Sequence, residues 1–411
     1  MKLSRIKIQK VMSERGIESF TQLAEILNIS KNQVSVMLSE NFNPIKSSVQ
    51  KLADILQVPV EKLIEDFFLE HSPIKDVKKN KVKGIELFAG AGGLALGLEM
   101  AGIEDLAFVE IDKICCHTLK ENRPYWNVIN QDIHNVDFSQ YSGKVEVVSG
   151  GFPCQAFSYA GKKLGFEDTR GTLFYEYARC VKEVRPHIFL AENVKGLVSH
   201  DQGRTFETIM NVFSSLGYHV QYKILNACYF GVPQKRERVV IIGIRNDLRK
   251  SVKFHFPSPS DHSTTLREGL KDCPKSIGQQ YSIKKKKVLD LVPPGGCWVD
   301  LPDEIAKEYL GKSYYSGGGR RGMARRISWD EPCLTLTCSP SQKQTERCHP
   351  DETRPFTVRE YARIQSFPDS WEFSGSIGAQ YKQIGNAVPV KLAECIGKQI
   401  VSALSNAHPN S

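Results

Sequence analysis

The sequence predicts an α/β fold in which a doubly wound parallel sheet follows an all-α unit and is interrupted by a smaller irregular domain. Three observations carry this. Apolar strands at Ile85–Phe88, Leu106–Glu110, Val145–Ser149, Ile188–Glu192 and Val239–Gly243 alternate with helical segments near 93–101, 113–122, 172–184 and 203–216, the pattern of a parallel sheet. Residues 1–70 carry only short helical periodicities. From about 251 to 350 periodicity dissolves into Pro, Gly, Ser and basic clusters such as Lys284–Lys287 and Ser316–Arg326; so long a patternless stretch is usually functional. Helical patterning resumes at Val358–Ile364 and Pro389–Leu404.

In the first unit Leu23, Ala24 and Leu27 share a helix face, Asn28 and Ile29 break it, and Ser30 is placed to cap Lys31–Leu38 with Val34 and Leu38 inward. Ser48 then caps a segment with Val49, Leu52, Ala53 and Leu56 at helical spacing. Two short helices around a tight turn, the second opening with Lys31, Asn32 and Gln33, suit the major groove of DNA. Thr21–Leu38 resembles the Cro/CI-type helix-turn-helix; a small helical bundle for packing or dimerisation is the alternative. Residues 71–83, with Lys75, Lys78, Lys79, Lys81 and Lys83, read as a solvated basic linker.

At 411 residues the chain is long enough for two or three domains. A hydrophobic share of 41% and a charged share of 25% are ordinary for a globular protein, and the net charge of +9 favours an anionic partner. No apolar run is long enough to span a bilayer and the first residues lack a secretion-signal core, so no membrane role is expected. Eleven scattered cysteines suit a reducing cytoplasm rather than a disulfide framework. Cys333, Cys338, Cys348 and His349 raise the question of zinc, but their spacing is not that of a zinc module, and no metal is expected.

The chemistry gathers at strand ends. Val145, Val147 and Val148 lead into Gly150-Gly151-Phe152-Pro153-Cys154-Gln155, where the proline stops the strand and presents a thiol at the sheet's carboxyl edge. Phe88-Ala89-Gly90-Ala91-Gly92-Gly93 closes the first strand and opens a helix, letting the backbone approach a ligand. Glu110, about 20 residues on, is placed to accept from both hydroxyls of a ribose. A dinucleotide and an adenosyl nucleoside both fit; Asp132, able to accept from an adenine amino group, suits the second. Glu192 ends a further strand as a general-acid candidate. Arg236 and Arg238 stand at the mouth of the Val239–Gly243 strand, where guanidinium groups bind oxygen bidentately and favour a thiolate.

Phe88–Gly93, Gly151–Gln155, Glu192–Val194, Gln234–Arg238, Arg359–Pro368 and Gln383–Val388 together resemble, in order, the motif set of the cytosine-5 DNA methyltransferases. The match covers roughly 84–250 and 355–405. The resemblance implies a Rossmann-like S-adenosylmethionine-dependent catalytic domain (84–250, completed by 351–411) and a target-recognition domain at 251–350. It implies Cys154 as the nucleophile toward C6 of a flipped cytosine, Glu192 as the acid at N3, and Arg238, with Arg236 nearby, at O2. For S-adenosyl-L-methionine it implies Phe88, Ala89, Gly90, Gly92, Gly93, Glu110, Ile111, Asp132, Ile133, Pro153, Leu173, Asn386 and Val388. Cys154–Leu173 is similar to the family's mobile catalytic loop, with Ser158 and Arg170 at the DNA.

The partner implied is double-stranded DNA, and the setting implied is a type II restriction–modification system, whose cognate endonuclease is a functional partner only. Arg320, Arg321, Arg325 and Arg326 form a basic cluster open to bases or to phosphates. The family's tRNA-methylating branch is the second enzymatic reading. A regulator acting on its own promoter through residues 1–70 is the third, compatible with catalysis.

Overall fold

The computed structural model describes residues 8, 11, 12, 17, 19–27, 29, 30, 33, 34, 52–54, 56 and 57 of the N-terminal part, and residues 82–153, 172–315 and 322–407. The chain divides into two units, Met1–Lys79 and Asn80–Ser411. In the first, Ser19 caps the helix Phe20–Ile26 by accepting from Gln22 N. Ser30 and Gln33 form a reciprocal cap: Ser30 Oγ accepts from Gln33 N at 3.2 Å and Gln33 Oε1 accepts from Ser30 N at 2.8 Å. Ile8, Val11, Met12, Leu23, Ala24, Val34, Leu52, Ala53 and Leu56 make one small core. The predicted cap at Ser30 is therefore present; Lys31, Asn32, Leu38 and Ser48 lie outside the described residues.

Among its described residues the second unit has nine strands: β1 Val82–Leu87, β2 Ile103–Glu110, β3 Val128–Asn130, β4 Val147–Gly150, β5 Ile188–Val194, β6 Tyr218–Asn226, β7 Gln234–Lys235, β8 Glu237–Arg245 and β9 Cys333–Leu334. Seven form one sheet in the order β3-β2-β1-β4-β5-β8-β6. Lys83, grouped with the linker by its charge, is in β1. The sheet is not wholly parallel: β8 runs antiparallel to both β5 and β6. The reason is the connection. Only Ala227–Arg236 separates β6 from β8, too short for the crossover a parallel pair needs. Four of the other connections within the seven-stranded sheet carry helices of eight residues or more: Gly93–Met100, Lys113–Asn122, Leu173–Val184 and Arg204–Ser215.

Ile85, Leu87, Val148, Phe189 and Ile241 pack on one sheet face with Phe174, Tyr177 and Phe213; Val147, Leu190, Val240 and Ile242 pack on the other with Leu94, Leu98 and Ile396. The C-terminal helix Val390–Ala407 lies against Gly93–Met100, and a Cβ at Gly97 would sit 2.4 Å from Val390 O, so glycine permits that approach. The irregular segment 251–350 stays within the second unit. It holds the helices Ile283–Leu289 and Asp303–Leu310 over a core of Tyr281, Leu289, Val292, Leu301, Ala306, Ala324 and Cys348. Its far end pairs back through β9, which runs parallel to β7 in a separate two-stranded sheet, β7 standing just ahead of β8 in the chain. Among the described residues no helix is long and apolar enough to cross a membrane.

Candidate active site

Strand order reverses on either side of β1, which pairs with β2 and with β4. Such a switch point opens a crevice at the strands' carboxyl ends, and a cleft of about 1070 Å³ lies there. Phe88, Ala89, Gly90, Gly93, Glu110, Ile111, Asp132, Ile133, Pro153, Leu173, Asn386 and Val388 line it, together with Glu192, Arg236 and Arg238. Apart from Gly92, and from Cys154, which lies outside the described residues, the residues expected at the cofactor and at the base thus line one continuous space.

The turn after β1 is tightly wound, with positive φ at Phe88 (56°), Gly90 (53°) and Gly92 (84°). Left-handed backbone is unusual for a bulky side chain, and Phe88 is held there at the cleft wall. Glu110 joins this turn to the next: its Oε2 accepts from Gly90 N at 2.7 Å and its Oε1 from Asp112 N at 2.8 Å. Beside it Ile111 is 64% exposed, an apolar surface left open in the cleft. Asp132 caps the next turn, and its bonds from the His134 ring and backbone hold its carboxyl below the usual carboxylate range. Gly93 fits because a Cβ would stand 2.2 Å from Val388 O. Gly92 differs from the expectation: it lies off the cleft lining, and a Cβ there would meet Leu119 and Trp371, so its role is packing.

At the other end of the cleft, Phe152 is buried against Phe174 and Tyr177, and its carbonyl accepts from Asn193 Nδ2 at 2.8 Å. This fixes Pro153 at the rim. Cys154, Ser158 and Arg170 lie outside the described residues. Glu192 reaches over Gly151, where a Cβ would stand 2.9 Å from Glu192 Oε2. Arg238 Nε stands 2.7 Å from Glu192 Oε1. The contact is electrostatic rather than directional, because that buried oxygen makes no hydrogen bond.

Arg236 is placed differently from Arg238. It is 2% exposed, and its guanidinium donates to Leu336 O, Gly385 O and Ala387 O. Burial, with the Arg238 charge beside it, pulls its pKa down to about 9. Gln234 and Gln365 extend this network: Gln234 Nε2 donates to Gln365 Oε1, and Gln365 Nε2 donates to Ile384 O and Ala387 O. The segment carrying Asn386 and Val388 is thereby tied to the sheet.

Of the arginine cluster, Arg320 and Arg321 lie outside the described residues. Arg326 does not offer itself to DNA. It is 4% exposed, and its guanidinium donates to Leu289 O, Val292 O, His349 O, Pro350 O and Thr353 Oγ1. With every N–H taken it holds the irregular domain together. Arg325 is half-buried, its Nε without a partner. Gln33 uses its Oε1 on Ser30 N and keeps an exposed position. Cys333 and Cys348 are buried while Cys338 opens into the cleft, so these thiols do not converge. Among the described residues no His, Cys, Asp and Glu cluster is arranged to hold a metal.

Three groups in the cleft wall were not expected from the sequence. Glu86 lies on its floor, Thr335–Cys338 enter from the end of the irregular domain, and Lys382 approaches Asp112 at 3.5 Å.

Residues 82–402 match the family described as C-5 cytosine-specific DNA methylase, and residues 7–68 match a Cro/C1-type HTH DNA-binding domain. The chain belongs to the C-5 cytosine-specific DNA methylases. It is 55% identical to the type II methyltransferase M.Sau96I of Staphylococcus aureus, over 98% of this chain and 99% of that protein. It is 57% identical to M.Eco47II of Escherichia coli over 80% of this chain and 81% of that one. Among solved structures, a putative DNA modification methyltransferase from an E. coli prophage superposes with a TM-score of 0.59 at 25% identity, covering 79% of this chain and 99% of that chain. DNMT2 of Spodoptera frugiperda shares the fold, with a TM-score of 0.57 at 18% identity over 78% of this chain and 99% of that chain. The chain is a DNA cytosine-5 methyltransferase with S-adenosylmethionine as methyl donor.

Proposed function

We propose that this protein is the modification enzyme of a type II restriction–modification system, methylating C5 of a flipped cytosine in a specific duplex site through a covalent Cys154–C6 adduct. The observation that carries the reading is the single cleft in which the Glu192–Arg238 pair and the glycine-rich turn with Glu110 both stand.

The residues present fit the cofactor. Ile111 and Phe88 offer apolar surface for adenine, Asp132 an acceptor for its amino group, and Glu110 an acceptor for ribose hydroxyls. Gly90 and Gly93 let the backbone come close, and Asn386 and Val388 close the far side. S-adenosylmethionine supplies an electrophilic methyl group on a sulfonium.

Cytosine C5 is a poor nucleophile until C6 is attacked. The Cys154 thiolate adds to C6 while Glu192 donates a proton to N3, which leaves C5 enamine-like and able to take the methyl group. A base then removes the C5 proton, the N3 proton returns to Glu192 and the thiolate departs, restoring the ring. Arg238 has two tasks: its charge beside Glu192 organises that carboxyl, and its guanidinium, anchored by Nη1 donating to Glu237 O at 2.8 Å, lines the cleft where the O2 edge of the base would lie. Arg236, bound to three backbone carbonyls, positions the cleft wall. The ring is inaccessible in a stacked duplex, so the base must be flipped out of the helix.

We assign the N-terminal unit to DNA binding, with its own promoter region as target, on its capped second helix and its matching domain family. Tritium transfer from labelled S-adenosylmethionine to duplex DNA and to tRNA, with bisulfite sequencing of the DNA, tests the catalytic reading. Label at one cytosine of a short duplex motif is expected. Label in tRNA alone overturns it. Deletion of residues 1–70 should relieve promoter repression and spare methylation; unchanged promoter occupancy would count against the regulatory assignment.

A further inference from the structure

Cys338 enters the cleft from the end of the irregular domain, and its Sγ stands 3.0 Å from Asn386 Oδ1 with the thiol donating. The contact is built rather than incidental. A Cβ at Gly385 would lie 2.3 Å from Thr337 O and 2.9 Å from Cys338 N, so glycine lets this segment rest directly on the last turn of the helix Ile377–Asn386. The segment is pinned on its other side as well. Tyr361 OH donates to Thr337 O at 2.9 Å, Leu336 N donates to Gln234 Oε1 at 2.9 Å, and Leu336 O accepts from Arg236. Cys338 therefore faces Asn386 on backbone that has little freedom to move.

A carboxamide presents an acceptor at one atom and two donors at the other, and its neighbours decide which faces a ligand. A thiol is a weak donor and a weaker acceptor. With Cys338 donating to Oδ1, the Asn386 carboxamide, which lines the cleft, has Nδ2 as the atom to offer a ligand. Reversed, Nδ2 would be set against sulfur and the cleft would receive an acceptor.

We infer that Cys338 is a positioning residue for the cofactor: it fixes the Asn386 carboxamide so that Nδ2 donates to an acceptor atom of bound S-adenosylmethionine. The inference rests on the reading of Asn386 as a cofactor-binding residue. It also makes the irregular domain a contributor to the cofactor site, through the segment that leads back from it.

The test is calorimetric titration of the full chain with S-adenosylhomocysteine, which binds without turnover. Cys338→Ala should weaken binding roughly 3–10-fold, the range for one lost hydrogen bond. Cys338→Ser, whose hydroxyl donates in the same direction, should bind within about twofold of the parent on the same scale. Asn386→Ala should lose at least as much as Cys338→Ala, and the double variant should lose no more than Asn386→Ala, because the two act as one unit. In turnover the loss should appear in KM for S-adenosylmethionine. Thermal melts establish that each variant folds, with Asn386→Ser replacing the alanine variant if that one does not. Unchanged binding in Cys338→Ala beside a weakened Asn386→Ala overturns the inference, as does a serine variant no better than alanine. Unchanged binding in the Asn386 variant overturns instead the cofactor reading of Asn386.

Discussion

Arg238 Nε lies 2.7 Å from Glu192 Oε1, with both side chains only about a tenth exposed at the wall of the cleft. A buried carboxyl beside a guanidinium is organised in advance of any substrate. Glu192→Gln keeps the shape and loses the acid, so turnover should fall roughly 10²–10⁴-fold, the range for a general acid. Binding of S-adenosylhomocysteine should stay near wild type. A turnover close to wild type would remove Glu192 from the chemistry.

Glu110 accepts from two backbone amides with its two oxygens and still faces the cleft. Glu110→Gln replaces one acceptor oxygen by a donor, which opposes an amide N–H. The dissociation constant for S-adenosylhomocysteine should rise roughly tenfold or more, as expected for a charge-assisted hydrogen bond. Calorimetry on the purified chain checks this, and an unchanged constant would contradict the assignment.

Gly93 has no room for a side chain, with Val388 O only 2.2 Å from an added Cβ. Gly93→Ala must push a backbone carbonyl aside, at a cost of about 1–3 kcal/mol. A lower denaturant midpoint together with weaker cofactor binding is expected, since Val388 lines the cleft.

Arg326 places all its donors on protein acceptors inside the irregular domain. Arg326→Met should destabilise the chain by roughly 3 kcal/mol, because buried carbonyls lose their partners. At temperatures where the variant is folded, the DNA sequence it methylates should be that of the parent. Altered sequence preference in a folded variant would return Arg326 to the recognition surface.

Asp105 pairs with Gly84, two residues from Glu86 on β1, and both carboxyls have an unpartnered buried oxygen. Burial first, and then the Glu99 charge, raises Asp105 to about 7; burial first, and then Asp105, raises Glu86 well above its ordinary value. An unfolded aspartate titrates at roughly 4. The folded chain therefore holds these protons more tightly, and stability present below that pH is lost as pH rises through 7. Asp105→Asn should gain stability over the parent by more at pH 8 than at pH 5, read from urea midpoints. A gain equal at both values would contradict the sign.

The site was legible where chemistry is local. Glu110 ends a strand, Gly90 and Pro153 follow one within three residues, and Glu192 stands two residues before the end of another, so a short apolar run followed by an unusual residue was enough to place them at one sheet edge. β3 and β6 were not read, because β3 has three residues and the edge strand β6 carries half-exposed polar positions such as Gln221 and Lys223. The antiparallel β8 needed the length of a connection whose first strand had not been recognised. Arg326 reads like the other arginines of its cluster because the acceptors that surround it come from residues as distant as Leu289 and Thr353. Thr335–Cys338 gave one signal, alternating β-branched residues before a thiol, but its partner Asn386 is 48 residues away. Long-range pairing of that kind leaves no local pattern.

The central claim is the covalent step at Cys154, and one measurement tests it most directly. Duplex DNA carrying 5-fluorocytosine at the methylated position is incubated with the chain and S-adenosylmethionine, then run under denaturing conditions. Fluorine cannot leave as a proton, so the account predicts a stable protein–DNA band with wild-type protein and none with Cys154→Ser. A wild-type chain that methylates ordinary duplex DNA yet forms no such band would contradict it.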